Sequence, residues 1–111
     1  MAIQDRRSGT ERRETNRFAI SIDVEWESAA GRLPGTISDV SFDGCFILSS
    51  GNIDDGTIVR IFIPLTDGMK VQFGGKVANH VFEIGFGVKF DQLSGPQREL
   101  LLKLVRATDA A

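Results

Sequence analysis

Cysteine and histidine are almost absent: Cys45 and His80 are the sole members of their types in 111 residues. One cysteine forms no disulfide within the chain, and two soft ligands fall short of the four that a zinc site usually takes. Neither a cross-linked framework nor a metal centre is expected, and a reducing cytosol is the natural compartment. Long apolar runs are missing too. The start, MAIQDRRSGTERR, lacks the apolar stretch of about 7–15 residues of a secretion signal, and no segment approaches the ~20 apolar residues of a membrane span. There is no credible Ser-His-Asp arrangement and no phosphate-cradling glycine loop. His80 stands between Asn79 and Val81 with no serine or cysteine partner in view. These absences point to a soluble, cytoplasmic, non-enzymatic protein without a cofactor and without membrane insertion.

What the sequence does contain is the apolar and charged content of one globular domain, 41% and 25%. Its charge is unevenly placed. The net charge of −2 argues against a general nucleic-acid binder, yet Arg6, Arg7, Arg12, Arg13 and Arg17 crowd the first seventeen residues against only Asp5, Glu11 and Glu14. That segment is net +2, leaving −4 for the remainder, and it holds almost no large apolar side chain. Residues 1–17 therefore read as a flexible basic arm suited to an anionic partner, and residues 18–107 as the folded domain.

Within the domain, Phe18, Ile20, Ile22, Val24 and Trp26 alternate with Ala19, Ser21, Asp23 and Glu25, the period of a strand with one buried and one wet face. Ser28 to Gly35 reads as a turn into a second strand at Thr36–Val40. Cys45–Leu48 forms a third, Ile58–Leu65 a fourth and Val71–Phe82 a fifth, the last two joined at an Asp67-Gly68 hairpin signal. Gly74-Gly75 suggests a bulge or barrel corner. Ile84, Phe86, Val88 and Phe90 alternate again as a sixth strand. Only the tail changes period: Ser94 and Gln97 make a capping box, Pro96 suits a first turn, and Leu100, Leu101, Leu104 and Val105 share a face. The fold class expected is all-β, a six-stranded antiparallel β-barrel followed by a C-terminal α-helix of about three turns. Trp26, the phenylalanines and Cys45 are assigned to the core, and Asp54 and Asp55 to a solvated turn.

Two short patterns carry chemistry. Arg13 and Arg17, with three residues between them in R-E-T-N-R, stand at the threshold of the first strand, and an arginine fork donates paired hydrogen bonds to phosphate or to guanine O6 and N7. In D-V-S-F-D-G, Asp39 and Ser41 offer a carboxylate beside a hydroxyl on one face of a strand end, and Gly44 permits a tight turn or a close backbone approach. Taken separately, the first is an ordinary solvated charge run and the second a turn whose side chain caps its own backbone. Together, with G-F-G-V-K-F at Gly85–Phe90, they resemble the paired signature of the PilZ domain family of bacterial cyclic di-GMP receptors, over residues 12 to about 106.

That resemblance implies a split-barrel fold of the PilZ type and a set of ligand-binding residues. Arg13 and Arg17 would grip guanine edges and phosphates, Asp39 and Ser41 would read a guanine, and Gly44 would leave room for it. Arg12, directly before the first motif arginine, occupies a position that bears on whether one ligand or a stacked pair is bound, and an arginine leans towards the pair. The arm would wrap onto the barrel as the ligand bridges the two motifs, and a downstream protein partner would read the changed surface. Two other readings remain: a PilZ-fold interaction adaptor that does not bind the nucleotide, and a small barrel that binds single-stranded nucleic acid, whose basic stripe this net-negative body lacks.

Overall fold

The period-two segments pair edge to edge. The computed structural model describes residues 17–110, with side chains described as far as Arg106. In chain order the elements are β1 (Phe18–Ser28), β2 (Gly31–Val40), β3 (Gly44–Leu48), β4 (Ile58–Pro64), β5 (Lys70–Val81), β6 (Gly85–Phe90) and α1 (Gly95–Ala110). The strands close into an antiparallel barrel in the order β1-β2-β3-β6-β5-β4. β4 returns to β1 through Glu25↔Phe62, Trp26↔Ile61 and Glu27↔Arg60. Closure removes most of the exposed sheet edge that would otherwise template association, leaving the Gly31–Gly35 part of β2 paired on one side only. Because β3 pairs with β6 rather than β4, the connection between β3 and β4 must cross one end of the barrel.

Inward-facing residues from all six strands fill the interior, among them Trp26, Ile37, Ile47, Ile61, Phe73 and Phe86. Trp26 meets Phe86 edge to face at 4.8 Å, and its indole N–H donates to Ser49 Oγ at 3.2 Å, so the one polar atom of the ring is satisfied. The first half of β1 is less enclosed: Ile20 and Ile22 are only partly buried, while Val24 and Trp26 are buried. α1 rests on β1 and β5 and sends Leu101 into the core. Its start carries the expected capping box. Ser94 N donates to Gln97 Oε1 at 2.8 Å, and Gln97 N donates to Ser94 Oγ at 3.3 Å.

Four sequence expectations need correction. Residues 31–35 are strand, not turn: β1 and β2 form a hairpin turning at Ala29-Ala30, with Trp26↔Leu33 and Glu25↔Pro34 in register. Pro34 is tolerated because that part of β2 pairs only with β1. Gly74-Gly75 is not a bulge, since both residues pair in continuous register with β4; the shift falls between Val77 and Asn79. Gly75 instead admits a neighbouring backbone, as a Cβ there would stand 2.3 Å from the Lys89 carbonyl oxygen. Phe82 and Ile84 are exposed rather than buried, because they sit at the β5–β6 turn, beyond the paired strands. Finally, α1 spans 16 residues, more than four turns rather than about three.

Candidate functional site

β1 and β2 carry the two motifs to one place. The register Phe18↔Val40 and Ala19↔Asp39 sets the start of β1 against the end of β2. Arg17 Nη1 there donates to Asp39 Oδ1, so the last residue of the first motif is ion-paired with the first residue of the second. Both side chains reach solvent, and such a pair adds about 0–1 kcal/mol to stability. It orients the groups more than it holds the fold. Their fields reach the interior: the fully buried Cys45 thiol is raised from 9.0 to about 12, by burial first and by the Asp39 charge second, with Arg17 opposing. Cys45 thus stays protonated near neutrality and supplies no nucleophile.

Past the end of β2 the chain turns at Ser41–Gly44, where Ser41 N donates to the Gly44 carbonyl at 2.8 Å. Ser41 Oγ accepts from Asp43 N at 3.1 Å and Gly44 N at 3.2 Å, and the residue is 2% exposed. Its hydroxyl is therefore committed to the turn, whereas Asp39 reaches out to Arg17. Because Ser41 lies beyond the strand, the alternation that would put it on the Asp39 face no longer applies. Gly44 has a strict reason for its identity: a Cβ would lie 1.9 Å from the Val88 carbonyl oxygen on β6. Glycine here is what lets β3 and β6 approach.

These parts border a cleft of about 380 Å³ that collects Arg17, Ser41, Asp43 and Gly44 with Ala78, Asn79, Gly87 and Lys89. Consecutive strand residues normally face opposite ways, yet Ala78 and Asn79 both line it, because the bulge between Val77 and Asn79 re-aims the strand. Asn79 Oδ1 accepts from Gly87 N at 3.2 Å, fixing the amide against β6. Lys89 is directly opposite Lys76 on the neighbouring strand. Two like charges in register repel, and an anion between or beside them relieves the cost. Arg17 and Lys89 thus give the cleft a cationic character, with Asp43 as a carboxylate acceptor at its edge.

Of the residues singled out from sequence, Arg17, Ser41 and Gly44 line the cleft and Asp39 pairs with Arg17 beside it. Arg12 and Arg13 lie outside the described residues. Lys89, Asn79 and Ala78 were not anticipated. The outward position of Lys89 in the alternation of β6 was a usable signal; the bulge that brings Ala78 and Asn79 in was not. Among the described residues, no group of three His, Cys, Asp or Glu side chains could hold a metal ion, and no helix is long and apolar enough to cross a membrane.

Comparisons with known proteins agree on the fold. The PilZ domain of CeSA from a cellulose-synthesizing bacterium superposes with a TM-score of 0.66 at 21% identity, covering 86% of this chain and 99% of that one. The Bacillus subtilis inhibitor of motility MotI/DgrA superposes with a TM-score of 0.69 at 14% identity over 97% of this chain, which spans about half (52%) of that longer protein. None of the curated proteins matches the sequence. The family model of the PilZ domain matches residues 11–107, a stretch that contains both arginine and aspartate-serine motifs, every strand and most of the helix. On that match the chain belongs to the PilZ domain family.

Proposed function

We propose that the protein is a receptor for cyclic di-GMP whose N-terminal arm changes conformation when the nucleotide binds and so signals to a partner protein. PilZ domains are known as receptors for this nucleotide and as regulatory rather than catalytic units. The observation that carries the reading is the convergence of the two motifs: Arg17 is ion-paired with Asp39 and shares one cleft with Ser41, Gly44 and the unanticipated Lys89. A dianionic ligand with two guanines needs cations for its phosphates and a fork or carboxylate for its base edges, and this cleft offers both.

In this reading Arg13 and Arg17 bind guanine edges and phosphates, and Arg12 adds the contact that favours a stacked pair of ligands. Asp39, released from Arg17 or shared with it, accepts from a guanine. Ser41 acts chiefly through the turn it holds, and Gly44 by keeping β3 close to β6. Lys89, backed by Lys76, neutralises phosphate at the other wall. The partner protein then reads the altered arm.

Isothermal titration with cyclic di-GMP, GTP and a short single-stranded DNA at near-physiological salt tests the assignment. Saturable binding of cyclic di-GMP alone is expected, and two ligands per chain would bear out the role given to Arg12. No binding of cyclic di-GMP would favour the adaptor that works without nucleotide, and binding of the DNA instead would refute the receptor reading.

A further inference from the structure

The end of the barrel crossed by the β3–β4 connection is unlike the rest of the surface. Leu48 and Val81 pair with Gly85 from its two sides, and the adjoining β5–β6 turn carries Phe82 and Ile84. All four are exposed, Phe82 by 71% and Ile84 by 53%. Leu33 Cδ1 extends the group, lying 3.0 Å from the point where a side chain on Gly51 would begin. Half or more of the exposed large apolar side chains of the described residues thus gather at one place, whereas scattered single ones are the ordinary condition of a surface.

The turn that displays Phe82 is strained. Ile84 N donates to the Val81 carbonyl at 2.9 Å, and Glu83 takes the left-handed conformation at φ 64°, costly for a residue with a side chain. The surroundings are held in place. Ser49 N donates to the Ile84 carbonyl, Gly56 N donates to the Val77 carbonyl, and His80 Nδ1 meets Asp55 Oδ1 at 2.7 Å. A surface already fixed before contact loses little entropy on binding.

Charge decides what fits there. A hollow of about 260 Å³ beside the turn is lined by Asp54, Glu83, His80 and the apolar Ile53, Val81 and Phe82, and no lysine or arginine contributes. A two-fold contact with a second copy would set Asp54 and Glu83 against their own kind, which disfavours self-association through this face. We propose that the β5–β6 end of the barrel docks a basic amphipathic segment of a partner protein, with Phe82 and Ile84 as its apolar anchors and Asp54 and Glu83 as its charge complement. This surface is separate from the cationic cleft, although β5 joins them: Asn79 lines the cleft two residues before Val81.

The test is titration of the full chain with an 18-residue Lys/Leu amphipathic helical peptide and with a Glu/Leu peptide of identical spacing, alongside sedimentation of the protein alone. The Lys/Leu peptide should bind. Phe82→Ser and Ile84→Ser should each weaken it by about tenfold or more, as truncating a central anchor does, and Glu83→Lys should weaken it severalfold. The Glu/Leu peptide should not bind. Absence of Lys/Leu binding, binding unchanged by Phe82→Ser, equal binding of both peptides, or a dimer that Phe82→Ser dissolves would each overturn the inference. Cyclic di-GMP titration of Phe82→Ser should match the unaltered protein, so loss of peptide docking leaves the receptor reading intact and absence of nucleotide binding leaves the docking surface intact.

Discussion

Gly44 and Cys45 sit side by side and show how differently two buried residues constrain a fold. A methyl group on Gly44 would stand 1.9 Å from the Val88 carbonyl oxygen, backbone against backbone, so no side-chain adjustment relieves it. Gly44→Ala should cost roughly 3 kcal/mol in urea unfolding. Gly56→Ala, at φ +86° with open space around it, should cost only about 1 kcal/mol, that of the left-handed backbone. Cys45 constrains through its proton. Its folded value near 12 exceeds the ordinary 9.0, so between these pH values the unfolded chain ionises while the folded thiol does not. Stability is fully present below pH 9 and is lost as pH rises from there towards 12. Cys45→Ala should flatten that slope relative to the unaltered protein, read as the difference between their denaturation profiles. At the cleft, Arg17→Ala should weaken cyclic di-GMP by roughly tenfold to a hundredfold, the range of a bidentate base contact. Lys89→Ala should weaken it less and reduce its salt dependence, since a lysine contributes a point charge rather than a fork. Titration at two salt concentrations separates the two.

At the scale of elements, α1 is tied down twice by one residue. Gln97 completes the capping box with Ser94 and also donates from Nε2 to the Gln72 carbonyl on β5 at 2.7 Å. Ser94→Ala should therefore lower stability by about 1 kcal/mol, and Gln97→Ala by more, because it removes both the cap and the link to the barrel. Thermal unfolding by circular dichroism reads both; equal losses would mean that the link to Gln72 adds nothing. The strands divide into those legible from pattern and those that were not. β1 and β4 follow their alternation almost to the residue, whereas β6 begins only at Gly85 and buries Gly85 to Val88 in succession. β2 did not, because Leu33-Pro34-Gly35 carries turn chemistry while its position opposite β1 makes it strand. Gly35 is small there for contact: a Cβ would lie 2.8 Å from Ile47 Cγ2 and 3.1 Å from Trp26 Cδ1.

For the molecule as a whole, the two surfaces of interest occupy different ends of β3 and β6. The motif cleft lies by Gly44 and Lys89, and the apolar end lies by Leu48 and Gly85. At about 3.3 Å per residue the four steps from Gly44 to Leu48 amount to roughly 13 Å, while along β5 Asn79 and Val81 bring the two surfaces within two residues of each other, close enough for one partner to sense both. If the arm closes over the cleft in response to nucleotide, hydrogen exchange within residues 1–17 should slow on addition of cyclic di-GMP. Exchange at Phe82–Ile84 should be unchanged. Unaltered exchange throughout the arm at saturating ligand would refute the conformational signal while leaving binding untouched.

The sequence by itself determined the fold class, the register of inward and outward residues along most strands, the capping of α1 and the two motifs, because each rests on local periodicity or on chemistry within a few residues. The tertiary structure alone decided the rest. Lys89 faces Lys76, and Ala78 and Asn79 share one cleft, through strand pairing and a bulge that no local pattern announces. Ser41 is buried because its hydroxyl is taken up by the backbone of the turn it begins. Phe82 and Ile84, indistinguishable in sequence from the core residues beside them, lie in solvent because the β5–β6 turn falls between the last residue of one strand and the first of the next.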